Sequence, residues 1–286
     1  MSSGTPDAPS ANTWHYGAAL WSGLRAAEKI GLLGMIAFTI IALFPYQLAP
    51  FDPQTRVAPA FLSPSFTHFF GTDEIGRDLF SRVLLGIRYT WLPGLGIIFF
   101  GLLFGSLIGM VAGAVGGLID SVIEKFINLV LVLPSTLVAL AVTASLGAGL
   151  TNMMIAIGIC WWPWYAVIAR AEVRRIRARP HMIAARLAGT TRIALFWRHV
   201  LPGTTPSLLV AAALDVANVV TTLSLMSFLG LGLPEPNPEL GSLSARSLEN
   251  LTVFWWLPIL PAVAILVLCL SANLFADSLR SSLRGR

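Results

Sequence analysis

Charge is what this sequence has least of. Only 12% of its 286 residues are Asp, Glu, Lys or Arg, whereas a soluble domain carries about 25%. With 56% hydrophobic residues and a mean hydropathy of +0.76, that scarcity excludes an ordinary soluble domain and leaves an integral membrane protein. Cysteine is nearly absent too. Cys160 and Cys269 both lie in apolar runs, so neither a disulfide framework nor a metal site is indicated, and both read as packing residues. The only lysines, Lys29 and Lys125, each follow a glutamate, and no GxxxxGK(S/T) occurs, so the chain is not an ATPase and no catalytic residue is assigned. HExxH and GxSxG are missing as well, and His15, His68, His181 and His199 fall outside the apolar runs, so intramembrane proteolysis lacks its usual chemistry. The net charge of +5 could serve nucleic acid, but the basic residues collect beside apolar segments with no nucleic-acid fold signature. No nucleic-acid partner is expected.

What is there is oil in lengths that fit a bilayer. A spanning helix needs about 20 apolar residues, and such runs fall at 29–49, 92–115, 121–146, 152–170, 206–231 and 254–275. The fold class is therefore all-α, a polytopic membrane protein with six transmembrane helices. Residues 2–12 form a polar tail that reads as disordered, and the first run is an uncleaved anchor. With the N-terminus inside, 14 Lys and Arg residues lie on the cytoplasmic side against 5 outside, so both termini are cytoplasmic and the remaining chemistry concerns membrane lipid. Trp14, Trp21, Trp91, Trp255 and Trp256 fall near span ends, where amphipathic rings settle. Gly101, Gly105, Gly109 and Gly113 line one face of the second span, which is expected to pack closely on another helix. The organisation is a tail (1–28), a first span and outer loop (29–90), a five-helix core (91–275) and a C-terminal tail (276–286).

Three segments carry the candidate chemistry. In the outer loop, Thr72 is placed to cap a short interfacial helix with Asp73 and Glu74 in its first turn. Asp73 to Arg77 and Asp78 to Arg82 then form pairs four residues apart. In the cytoplasmic loop 171–203, Pro180 suits a first helical turn and Gly189 a left-handed end. Thr190 or Thr191 caps a second helix through Ile193, Leu195, Phe196 and Val200, stopped at Pro202 and Gly203. Small side chains at Ala184, Ala185 and Ala188 let that backbone enter a groove, with Ile183 and Leu187 as plugs and the arginines around them facing acids on a partner. The alternative is a solvated basic loop that only sets orientation. In the fifth span, Asp215, Asn218 and Thr222 share one face, and either line a transport cavity or bond to a neighbouring span. Pro134 is read as a kink in the third span and a gate.

AARLAG followed by HVLPG resembles the EAA loop of permease subunits of ABC importers. FGTDEIGRDLFSRVLLGIR is similar to the GTD-x-x-GRD-x-x-SR-x-x-x-G-x-R segment of the dipeptide and oligopeptide permease C-type family. KIGLLGMIAFTIIALF with LAPFDP, GGLIDSVIEKFINLVLVLPS, SFLGLGLPEPNPELGSL and FADSLRSSLR agree in the same order. The resemblance implies the ABC importer permease fold in a bacterial inner membrane. It also implies that the chain forms half of a pathway for di- and oligopeptides. The partners it implies are a second homologous permease subunit, two cytoplasmic ATPase subunits that bind ATP and Mg, and an extracytoplasmic substrate-binding protein. No cofactor is implied for this chain itself. Ile183, Ala184, Ala185, Arg186, Leu187 and Gly189 take the coupling role, with Ile183 standing where the motif has Glu. Alternating access follows, with nickel or another small solute as the other cargo and a proton-coupled carrier using Asp215 as the rival class.

Overall fold

The computed structural model describes residues 26–284. The tail reading for residues 2–12 and the placements of Trp14, Trp21 and His15 lie outside the described residues. Helix α1 (Ala26–Leu43) breaks at Phe44 into a short α2 (Pro45–Leu48). After the outer loop, α3 (Leu79–Phe100) passes through a π-helical turn (Gly101–Gly105) into α4 (Ser106–Val115). Helices α5 (Gly117–Val132), α6 (Ser135–Leu146) and α7 (Leu150–Arg177) follow. The cytoplasmic hairpin holds α8 (Pro180–Leu187) and α9 (Arg192–Leu195), which runs through a second π turn (Phe196–Val200) into α10 (Leu201–Phe228). An outer α11 (Leu240–Arg246) and the final α12 (Trp256–Arg284) complete the chain.

Five of these stretches are long and apolar enough to cross a membrane, and the pair α5 and α6 makes a sixth span only as a broken one, bent by 81°. The third span expected at 121–146, with a kink at Pro134, is here a pair of helices with that proline at the break. Leu133 is extended (ψ 136°), as a residue before proline prefers, and Pro134 has no N–H to carry the ladder on.

Helix-to-helix approach rests on glycine. A Cβ at Gly105 would strike the backbone of Trp162, one at Gly109 that of Ala166, and one at Gly113 would sit 2.9 Å from the Arg170 carbonyl oxygen. Lipid offers no hydrophobic drive between helices, so this close contact of α4 with α7 supplies the dispersion attraction that packs them. Gly31 and Gly34 do the same for α1 against Leu274 and Ser271 of α12. Helix α10 then fills the space between α3, α7 and α12. Trp91 belongs to this interior and not to an interfacial belt. It lies in the body of α3, is almost fully buried, and donates to Thr39 Oγ1 at 3.2 Å.

The outer loop departs from the expected short helix. Gly71 and Gly76 have φ of +74° and +91°, a left-handed conformation that no right-handed helix passes through. Asp73 Oδ1 instead accepts from the backbone N–H groups of Ile75 and Arg77, both at 2.9 Å. The helix starts one turn later. Asp78 caps α3 through Ser81 N at 2.8 Å and also holds His68 Nδ1 at 2.8 Å, so it does not pair with Arg82.

Candidate coupling and translocation surfaces

The cytoplasmic hairpin stands on a braced platform. Helix α7 is 28 residues long, about 42 Å at 1.5 Å per residue, while the hydrocarbon is about 30 Å thick. Its last turns, from Arg170 onward, therefore project to headgroup level. There Arg170 Nε donates to Asp120 at 2.5 Å and its two terminal nitrogens reach Glu124 at 2.8 and 2.7 Å. Arg174 also donates to Asp120, and Arg177 donates to the Gly113 carbonyl at 2.7 Å. This forked pairing locks α7 to α5 and α4 and gives the hairpin a rigid base.

On that base, Pro180 begins α8, Gly189 turns the chain at φ +81°, and the Thr191 hydroxyl accepts from Ala194 N at 3.3 Å to start α9. Each local choice follows from the residue type: a missing N–H where none is needed, no Cβ where φ is positive, and a hydroxyl at the cap. The expected stop at Pro202 and Gly203 is corrected, because the chain stays helical from Arg192 to Phe228. Leu201 N–H bonds back to Phe196 O in the wider π pattern, so Pro202 falls where the ladder has already been re-paired.

The hairpin presents oil to water. Leu187 is 84% exposed, Ile193 73%, Trp197 62% and Ile183 50%, whereas Met182 is buried. Ala184 and Gly189 are also exposed and Ala185 is half-buried. Arg186 shares the Met182 side of α8 and lines a cavity behind it. Ile193 reads from the sequence only as part of the second helix and Trp197 not at all, although their spacing of four on one helix face was the available signal.

In the fifth span, Asp215 is 6% exposed, and Trp161 and Tyr165 of α7 donate to its carboxylate, the tyrosine at 3.0 Å. Thr222 is buried and donates to the Asn218 carbonyl at 2.9 Å. Asn218 alone of the three is exposed, and its amide donates to Asp215 Oδ1 at 3.4 Å. Pro134 sits at the bend between α5 and α6.

A second polar cluster ties the outer loop to the segment before α11. Glu235 takes Arg77 Nη1 at 2.9 Å, Arg82 Nη2 at 3.5 Å and Arg246. Arg82, only 1% exposed, also donates to the Pro53 carbonyl at 3.2 Å. Nearby, Glu239 is buried, accepts from the Ser227 hydroxyl and caps α11. Its burial pushes the carboxyl up to about 7, against the pull of the Leu233 backbone N–H. No local pattern announces the pairing of Glu235 with Arg77 and Arg82, which lie more than 150 residues away.

An all-α bundle with a broken span, small-residue helix contacts and a basic, oil-tipped cytoplasmic hairpin is the architecture of a membrane transport subunit. Residues 105–285 match the family described as binding-protein-dependent transport system inner membrane component, and the chain belongs to that family. It is a multi-pass inner-membrane permease subunit of an ABC importer, in a system that also includes a substrate-binding protein and an ATPase. The chain is similar to the di/tripeptide transport system permease protein DppC of Pseudomonas aeruginosa (strain UCBPP-PA14), at 36% identity over 88% of this chain and 86% of that protein. It is 35% identical to the probable D,D-dipeptide transport system permease protein DdpC of Escherichia coli (strain K12), over 87% of this chain and 84% of that one. The glutathione transport system permease protein GsiD of Shigella flexneri is 33% identical over 94% and 89%. Among solved structures, a chain of the MetNI methionine ABC transporter in an inward-facing form matches with a TM-score of 0.55 at 16% identity, covering 70% of this chain and 97% of that chain. That likeness concerns the fold alone.

Proposed function

We propose that this subunit forms half of a pathway for di- and oligopeptides, paired with a second homologous permease subunit. Two cytoplasmic ATPase subunits, which bind ATP and Mg and hydrolyse the nucleotide, drive it through the hairpin. The three relatives above are named for di/tripeptides, a D,D-dipeptide and glutathione, so short peptides are the cargo class. The observation that carries the coupling role is the exposed row of Ile183, Leu187, Ile193 and Trp197 on an arm braced by ion pairs. Exposed apolar side chains at a rigid tip are what a partner's groove buries, and a solvated loop that merely set orientation would not need them. Ala184 and Ala185 permit close approach, Gly189 sets the corner, and Arg186 supports the helix from behind. Ile183 in place of an acid makes the grip one of shape and burial.

ATP drawing the ATPases together moves the hairpin as a rigid body, and the α5–α6 bend at Pro134 lets one half-span swing while the other stays packed. Asn218 is the group offered to the passage, and Asp215 holds its helix in place. The test is Gly189→Val. A β-branched residue at positive φ is strained by more than about 1 kcal/mol, and nothing surrounds the site to clash, so the change acts on the corner alone. Peptide uptake is expected to fall while the complex stays in the membrane and continues to turn over ATP. Uptake equal to wild type counts against the coupling role.

A further inference from the structure

Behind the exposed tip of the hairpin lies a cavity of about 520 Å³ that the coupling role does not use. Its apolar wall includes Val115 at the end of α4 together with Met182, Leu195 and Phe196. Three cations, Arg177, Arg186 and Arg192, share the lining, and among the described residues no acid does. The nearby cytoplasmic carboxylates are already engaged: Asp120 and Glu124 by Arg170 and Arg174, and Glu172 by Arg175 and Ser207. Among the described residues neither Arg186 nor Arg192 has an ion-pair partner.

We infer that this cavity holds the headgroup of an anionic phospholipid from the cytoplasmic leaflet. The depth is right, because Val115 closes a span and Arg177 ends a helix that outreaches the hydrocarbon by its last turns. The lining is right as well: a phosphate meets the guanidinium groups while glycerol and the first acyl carbons cover Val115 and Phe196. Basic pockets between spans on the cytoplasmic side take such headgroups. An acidic side chain of a partner protein would satisfy the arginines and leave the apolar wall wet. Met182 and Arg186 face the cavity while Ile183 and Leu187 face outward, so lipid and ATPase occupy neighbouring faces of one short helix and need not compete. The lipid would thus stiffen the hairpin from behind.

The test is native mass spectrometry of the complete importer, extracted from membranes of phosphatidylcholine and phosphatidylglycerol in equal parts, with the retained lipid counted per complex. Arg192→Gln is expected to lower phosphatidylglycerol retention about fivefold, while Arg192→Lys keeps it. Arg198→Gln, which removes the same charge from the same loop but outside the cavity, is expected to leave it unchanged. Equal retention in Arg192→Gln overturns the inference, as does an equal loss in Arg198→Gln. Lipid that appears at the cavity only after the ATPases are stripped away also overturns it, since the occupant would then be a protein carboxylate.

Discussion

A single methyl group at Gly109 tests the packing that holds the hairpin's base. The added Cβ would lie 2.8 Å from both the Cα and the carbonyl carbon of Ala166, and closer still to its oxygen, where ordinary contact begins at 3.4 Å. Helices α4 and α7 must therefore part by at least 0.6 Å, and the obstruction is backbone, so no rotamer relieves it. Overpacking of this kind costs about 1–3 kcal/mol, and separating the seam also loosens the contacts at Gly105 and Gly113 on either side. Gly158 is the matched control. A Cβ there meets only the Phe100 side chain, at 3.5 Å. Thermal unfolding of the detergent-solubilised complex, followed by size-exclusion chromatography, is expected to show Gly109→Ala melting about 5 °C below wild type with Gly158→Ala unchanged. If the two alanine variants melt together, close approach of α4 and α7 is not what stabilises the bundle.

Two predictions concern the outer face. Glu235→Gln removes the shared partner of Arg77, Arg82 and Arg246, and because Glu235 is 42% exposed the loss is discounted to roughly 1–2 kcal/mol. Limited proteolysis from the outer side should cut residues 229–240 faster than in wild type, and an unchanged rate refutes the hub role. Glu239 is protonated in the folded chain up to about 7, whereas an exposed glutamate ionises near 4.5. Between those values the folded state binds more protons than the unfolded one, so stability is greatest at the acid end and declines as pH rises to about 7, by roughly 3 kcal/mol in all. Glu239→Gln should flatten the melting temperature across that window, and a slope equal to wild type contradicts the buried-acid reading.

The spans and the hairpin were legible in the sequence because bilayer thickness and helical period act on local runs of residues. Pro180, Gly189 and Thr191 mark their own positions, and the glycine repeat at Gly101 to Gly113 announces a packed face. What was not legible depended on distant partners. Asp73, Arg77, Asp78 and Arg82 have helical spacing, and Asp73 does hold Arg77 at 2.6 Å, yet Gly76 blocks a helix, Asp78 turns to His68 and Ser81, and Arg82 goes to Asp73 and to Glu235, far along the chain. Asp215, Asn218 and Thr222 share a helix face by spacing, but Trp161 and Tyr165 draw the aspartate inward. Pro134 marked a kink in the third span, but composition does not register the size of the angle, 81°, at a proline.

The central claim is that the hairpin tip is cytoplasmic and buried by an ATPase. Leu187→Cys, in a chain whose Cys160 and Cys269 are replaced by Ser, can be probed with a membrane-impermeant maleimide on the assembled importer. The account predicts labelling in inside-out vesicles stripped of their ATPase subunits, protection when those subunits are restored, and none in right-side-out vesicles. Labelling from the outer side, or full labelling with the ATPases bound, would contradict it.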